Sequence, residues 1–460
     1  MSQSIREPVI GMRDRFGIET RRRDFVIGVL ADMARLHGYE RLAVPVLERI
    51  TSFDERVVGQ SPWPEWNPAG VFGVELVDYA DRYRTRLGAE AAVLIPEGTV
   101  PVARWLAGRL SSDDPAALPV KVFYDLPCYR NEPIDTLTQV KLREFSQFGI
   151  EVMGASTIAA DVEVLIFIHE ALITLGIAAP QIRIRIGDVA VFNALAEASG
   201  LLAAQVIAVK EHLDALAECR AGRFPDRAPG LRDGLAGVLE GGGVPSVQQR
   251  AWRALAEHDS GAVDDEIWMA LRAAVGPETG DRLQALSATA EALTAGGITG
   301  VRLDLGVVRS HEYYTDMTFE VDVHSSDCAH VEIAGGGRYD RLVGHFLAEG
   351  GPVVVPSTGF AFGVERVIDA LAGLGIFDKP VLRSSIATFG DASADMLMIP
   401  RSARASGADP DGAVRSYLAA HERALPLREA GTRVDVWVGD SEEDAAAYGR
   451  ARGIGEMVEC

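Results

Sequence analysis

Apolar positions alternate along part of this chain and recur with helical spacing along others. Val122, Tyr124 and Leu126 alternate before a polar turn, and Phe145 and Phe148 follow it. That pattern predicts a hairpin of two strands in an antiparallel sheet. Upstream, Phe25, Val29, Met33 and Leu36 predict a helix over 20–38, stopped by His37-Gly38. Leu42, Val44 and Val46 alternate around Pro45, predicting a strand over 39–48 at an edge or an interface. A strand at 92–95 leads into a helix carrying Val102, Trp105 and Leu106. A helix over 161–175 precedes the alternating Gln181-Ile182-Arg183-Ile184-Arg185-Ile186, and another helix starts at Asp188.

Further on the pattern changes. Residues 195–298 are rich in Ala, Leu and Glu with helical periodicity, broken at Leu239-Glu240-Gly241-Gly242-Gly243, and read as an inserted helical subdomain. Ala334-Gly335-Gly336-Gly337-Arg338-Tyr339-Asp340 reads as a tight glycine turn that lets backbone approach a ligand. Ser357 to Arg366 runs from strand into helix. From about residue 390, strands and helices alternate with short loops, which predicts a small α/β unit with a parallel sheet. The expected architecture is α/β (α+β): an antiparallel sheet core with flanking helices in 1–194 and 299–385, a helical insertion at 195–298, and an α/β domain at 390–460.

Composition narrows the function classes. The 460 residues allow two or three domains, and 48% apolar with 24% charged residues is ordinary for a globular protein. The net charge of −21 disfavours broad nucleic-acid binding, which rests on neutralising phosphates, but leaves room for a local basic site. Cys128, Cys219, Cys328 and Cys460 have no CxxC spacing, so neither a zinc site nor a disulfide framework is indicated, and a cytoplasmic setting is the default. The N-terminus has no apolar core of a signal peptide. The run from Val164 to Ala179 is too short to span a bilayer and is expected as a buried helix. The loop Ser61-Pro62-Trp63-Pro64-Glu65-Trp66-Asn67-Pro68 is stiff, and either covers a pocket or plugs the core.

The chemistry lies in the hairpin. Arg130, Glu132, Arg143, Gln147 and Glu151 sit inside or beside strands whose face should be half buried. Unpaired charge there is costly, so these groups should face a ligand or one another. Guanidinium forks match phosphate oxygens and Phe145 can stack on a base, so a nucleotide suits the set.

Tyr129-Arg130-Asn131-Glu132-Pro133 with Arg143-Glu144-Phe145-Ser146-Gln147-Phe148-Gly149-Ile150-Glu151-Val152 resembles the second signature motif of class II aminoacyl-tRNA synthetases, most closely the histidyl type. The helix and proline-bearing strand at 20–48 resemble the first motif, which implies a homodimer. Ser357 to Arg366 resembles the third. Ile95-Pro96-Glu97-Gly98-Thr99 is similar to an Arg-Pro-Glu-Gly-Thr signature but departs at Ile95. Arg309-Ser310-His311-Glu312-Tyr313-Tyr314 is similar to the histidyl motif Arg-Gly-Leu-Asp-Tyr-Tyr, with three residues changed. The resemblance implies that Arg130, Arg309 and Arg366 act on the phosphates of ATP, with Glu132, Arg143 and Phe145 completing the nucleotide site and Mg²⁺ on the phosphates. It implies that Glu97 and Thr99 bind the α-amine of an amino acid, and that Gln147, Glu151, Tyr313, Tyr314 and Tyr339 line the rest of its pocket. Read from the residues alone, Glu97 could instead be a helix N-terminal acid favoured by the helix dipole.

The implied reaction is ATP-dependent activation of histidine or a related amino acid, with transfer to tRNA or to a non-tRNA acceptor. A longer turn between Glu132 and Arg143, the altered Ser310-His311-Glu312, and a curtailed anticodon-binding-like domain point toward a specialised paralogue. The alternative is the non-catalytic regulatory subunit of ATP phosphoribosyltransferase, which shares the fold and binds histidine.

Overall fold

The hairpin forms as its alternation requires, from β5 (Val120–Tyr129) and β6 (Glu144–Met153). The structure is a computed structural model. It describes residues 6–58, 70–74, 91–112, 116–131, 142–222, 224–257, 265–308, 313–324, 331–347, 353–379, 395–399 and most of 419–459. Ahead of the hairpin come α1 (Ile18–Leu36), β1 (Glu40–Arg41), β2 (Leu47–Arg49), α2 (Glu55–Val58), β3 (Gly73–Val74), β4 (Ala92–Leu94) and α3 (Thr99–Leu110). After it come α4 (Ile158–Thr174), β7 (Ile182–Asp188) and α5 (Val189–Ser199). The insertion supplies α6 (Ala203–Arg220), α7 (Ala228–Gly241), α8 (Ser246–Glu257), α9 (Asp265–Val275) and α10 (Pro277–Ala295). The core resumes with β8 (Val301–Leu303), β9 (Met317–Val323), β10 (Val331–Arg338), α11 (Leu342–Leu347), β11 (Ser357–Gly363) and α12 (Val364–Gly373).

The central sheet has eight strands in the order β1-β5-β6-β11-β10-β9-β7-β8. The six inner strands are antiparallel, and a parallel strand closes each edge. Register decides which residues share a face, because side chains alternate along a strand. Glu151 pairs with Val122 and Gly359, Gly149 with Tyr124 and Ala361, and Gln147 with Leu126 and Gly363. Cys128 pairs with Phe145, so these residues line one face. Phe148, Ile150 and Phe360 take the other face, beneath α4 and α12, where Phe167 packs on Phe360 with ring centroids 6.0 Å apart.

Three expectations change. The strand over 39–48 is broken: β1 joins the central sheet beside β5, while β2 joins a second sheet with β4 and β3. Pro45 lies between them, where it leaves no ladder hydrogen bond unmade. The stripe of α1 is rotated by about one residue, for Val26, Leu30, Ala31, Met33 and Ala34 are buried while Leu36 is 85% exposed. The glycines at 335–337 lie inside β10 rather than in a turn. A Cβ on Gly336 would strike the carbonyl of Gly359 and the ring of Phe319, so the close approach is made by neighbouring strands.

A second compact unit spans Ser384–Cys460. Within it, β12 (Met396–Ile399) pairs in parallel with β13 (Val434–Val436) and β14 (Glu456–Glu459), and α13 (Glu442–Arg452) precedes the last strand.

Candidate active site

The face of the sheet that carries Glu151 holds a buried polar cluster. Glu151 is 0% exposed. Its carboxylate accepts hydrogen bonds from the hydroxyls of Tyr339 (2.5 Å), Thr99 (2.9 Å) and Tyr124 (3.4 Å). Burial pushes this carboxyl up to about 8, against the pull of the Tyr339 and Thr99 hydroxyls. Space for it exists because residue 359 is glycine; a Cβ there would collide with the Glu151 carboxylate. Burial, with Glu151 beside it, also holds the Tyr339 phenol protonated well above its ordinary range.

Gln147 accepts from the backbone N–H of Gly98 (2.9 Å) and from the Cys128 thiol (3.5 Å), so its amide nitrogen is left to donate. Tyr313 and Tyr314 close the cluster, their rings tilted at 51° with centroids 4.9 Å apart, and Tyr313 meets Tyr339 edge-on at 6.1 Å. Tyr124, absent from the expected set, is fully buried under it. Cβ atoms on Gly98 or Gly149 would strike its ring. The hairpin alternation already placed Tyr124 on the face of Gln147 and Glu151, and that parity was the signal that could have found it.

Glu97 stands at the start of α3, where its helix-terminal reading puts it. Its carboxylate accepts from the backbone N–H groups of Thr99 (2.8 Å) and Val100 (2.6 Å), capping the first turn of α3. Burial raises its pKa, and those N–H groups and Arg130 draw it back. Ile95 is fully buried in the apolar cluster that also contains Val44, Val100 and Tyr339, so a core side chain fills the signature's arginine position.

At the turn end of the same face the groups are cationic. The Arg130 N–H pairs with the Arg143 carbonyl, its guanidinium donates to the Pro96 carbonyl (3.0 Å) and lies 5.0 Å over the Phe145 ring. The Arg143 guanidinium reaches the carbonyl of Ile10 (3.4 Å). Arg366 sits in the first turn of α12, with its stem against Gly363 and its guanidinium on Glu332 (3.2 Å). Its side chain is 55% exposed. Arg130 follows the last residue of β5, Phe145 lies at the start of β6, and Arg366 comes shortly after the end of β11, at one end of three adjacent strands. Neighbouring strands lie about 5 Å apart, which a single polyphosphate can bridge. Arg309 and Glu132 fall outside the described residues, as do His311 and the 61–68 loop. Among the described residues no group of three or more His, Cys, Asp or Glu could hold a metal ion, and no helix is long and apolar enough to cross a membrane.

Comparison with known proteins places this geometry in a family. The model of the family described as histidyl-tRNA synthetase matches residues 88–367. A histidine–tRNA ligase of Pyrobaculum calidifontis is 29% identical over 377 residues, covering 82% of this chain and 77% of that protein. An ATP phosphoribosyltransferase regulatory subunit of Rubrobacter xylanophilus is also 29% identical, over 341 residues, covering 73% of this chain and 70% of its own. Among solved structures, a Bacillus halodurans protein described as ATP phosphoribosyltransferase regulatory subunit/histidyl-tRNA synthetase aligns with a TM-score of 0.68. It is 20% identical and covers 100% of this chain and 99% of its own, a likeness of fold. A histidine–tRNA ligase subunit from Alicyclobacillus acidocaldarius aligns at 0.60 with 25% identity, covering 81% of this chain and 99% of that one.

Proposed function

The chain belongs to the histidyl-tRNA synthetase family, and from that premise we propose that it activates an amino acid, histidine or a close relative, as the aminoacyl-adenylate. One observation carries the reading: a buried polar cluster on one face of β5 and β6 runs out to Arg130, just past the end of β5, with Gln147 between Glu151 and Phe145 on a single strand. The pocket suits the amino acid. Glu151 and Gln147 offer acceptor and donor to a polar side chain, and Thr99 and Glu97 lie beside the α3 N-terminus to receive the ammonium. Arg130 and Arg366 would hold the triphosphate, with Arg309 and Arg143 as further candidates.

The substrate carboxylate attacks the α-phosphorus, a mixed anhydride forms, and pyrophosphate leaves. Little covalent help is needed from the protein. Its part is to align the two reactants and to offset charge that grows at phosphorus. Mg²⁺ is proposed only as a counter-ion carried on the triphosphate, since the described residues offer no cage for it. The proposal includes a cytoplasmic homodimer. Cys128 and Cys219 are free thiols, and Val46, Leu47 and Ile50 show apolar surface at the segment resembling the dimer motif. The 195–298 and 390–460 segments would serve as the insertion and the anticodon-binding-like domain.

Pyrophosphate exchange into ATP, run over a panel of amino acids and followed by a tRNA-charging assay, tests the reading. Exchange with histidine and charging of tRNA is the expected result for a synthetase. Exchange without charging means a different acceptor. Absence of exchange with every amino acid, together with histidine binding, overturns the enzyme and favours the second reading, a regulatory subunit. That reading draws on the Rubrobacter relative and on Arg366, which here is engaged by Glu332.

A further inference from the structure

The helical insertion contributes none of the pocket residues named above, yet two of its arginines reach the core at telling places. Arg220, at the end of α6, donates one arm of its guanidinium to the Ala256 carbonyl on α8 and the other to the carboxylate of Asp304. Asp304 is 0% exposed and also accepts from the N–H of Gly306 (3.1 Å). Behind it, at 3.6 Å, stands the buried Arg185, itself held by Glu320 (2.6 Å) and Asp322 (2.7 Å). Arg282, on α10, bonds Asp188 (3.0 Å) and Asp316 together. Asp188 caps α5 through Ala190 (2.8 Å) and Val191 (3.1 Å), and the Asp316 carbonyl receives the N–H of Val189 (3.0 Å).

Asp304 and Asp316 bracket one stretch of chain. Its first part is seated tightly: a Cβ on Gly187 would strike the Val307 carbonyl, and the Thr318 hydroxyl donates to that same carbonyl at 2.8 Å. Its last part delivers Tyr313 and Tyr314, only 7% and 8% exposed, to the pocket wall against Tyr339. Thr315 is then fixed by its N–H on the Arg338 carbonyl (2.8 Å). The charged contacts from the insertion thus fall just before the seated residues 305–308 and just after Tyr313 and Tyr314, which stand against Tyr339.

We propose that Arg220 and Arg282 are positioning residues, through which the insertion grips Asp304 and Asp316 and sets Tyr313 and Tyr314 against the amino-acid pocket. The inference rests on the functional reading only for what the pocket binds. A guanidinium is suited to the task because its planar fork engages two partners at once, which an ammonium does not match. Charge-assisted bonds of this kind hold a segment against local opening.

Hydrogen exchange on the full, ligand-free chain tests the grip directly. In Arg282→Met, amides of 313–318 should exchange roughly tenfold faster, while those of β5 and β6 stay unchanged. Arg282→Lys should recover part of the protection, and Arg220→Met should loosen 304–308 in the same selective way. Unchanged exchange at 313–318, or an equal loss of protection in the hairpin, overturns the proposal. The second readout is the split in kinetics: KM for the amino acid should rise roughly tenfold in Arg282→Met with KM for ATP held. If the unaltered protein shows no exchange activity, the functional reading falls, and the amide measurement still decides the grip.

Discussion

The two halves of the candidate site are built on opposite principles. Around Glu151 the polar groups are mostly buried and bonded to one another, from Tyr339 through Thr99 to the Gly98 N–H that holds the half-buried Gln147. Around Arg130 and Arg366 the groups are half exposed and engaged by stand-ins: the Pro96 carbonyl, the Phe145 ring and the Glu332 carboxylate. The first half is preorganised, so a ligand meets donors and acceptors whose desolvation is complete. On the proposed function a polyanion would replace the contacts of the second half, selectivity would belong to the pocket, and the response to nucleotide would belong to the arginines.

The largest effect expected from breaking this contrast is at Arg130. Arg130→Ala should lower exchange activity by about 10²–10³ with little change in amino-acid affinity, read by steady-state kinetics and calorimetry. Next comes the pocket. Glu151→Gln should weaken amino-acid binding roughly 10- to 100-fold, because an amide nitrogen replaces one of the two oxygens that accept from the Tyr339 and Thr99 hydroxyls. Gly359→Ala should match it by displacing the same carboxylate, and calorimetry against ATP should show nucleotide binding retained. A third effect is on pH. Glu151 is raised from its ordinary 4.5 to about 8 in the folded chain. Its contribution to stability is fully present below 4.5 and is lost as pH rises through 8. The melting temperature of the ligand-free protein should therefore fall across that range, and Glu151→Gln should flatten the fall. The smallest effect is at Glu332. Glu332→Gln should loosen Arg366 by removing its charged partner, although the bond to the Glu332 carbonyl stays, and should lower KM for ATP a few-fold while leaving KM for the amino acid where it was.

Much of this site could be read before the fold was known, and the reasons differ by residue. The hairpin was legible because strand alternation is a local property: Gln147, Gly149 and Glu151 must share a face whatever surrounds them. The helices α3 and α4 followed from their local apolar patterns for the same reason. Glu97 could be read two ways, since an acid ahead of a helix serves a cap as readily as a ligand; its bonds to Thr99 and Val100 come from the fold, and they are compatible with both roles. The face of α1 was misplaced by one residue, because spacing alone does not say which of two neighbouring stripes, Val26 and Leu30 or Val29 and Leu36, the sheet will cover. Glycines 335–337 looked like a turn because the same residue permits both turns and close strand contacts.

By itself the amino-acid order determined the periods, the caps and the chemical kinds brought to each strand, since these depend on neighbours a few residues apart. Only the tertiary structure decided that Glu332 would meet Arg366, that Tyr124 would underlie Glu151, and that Arg220 and Arg282 would reach Asp304 and Asp316 across 84 and 34 residues of sequence. Such pairings arise from strand order and from where an insertion docks, and no local pattern of apolar and polar residues carries that information.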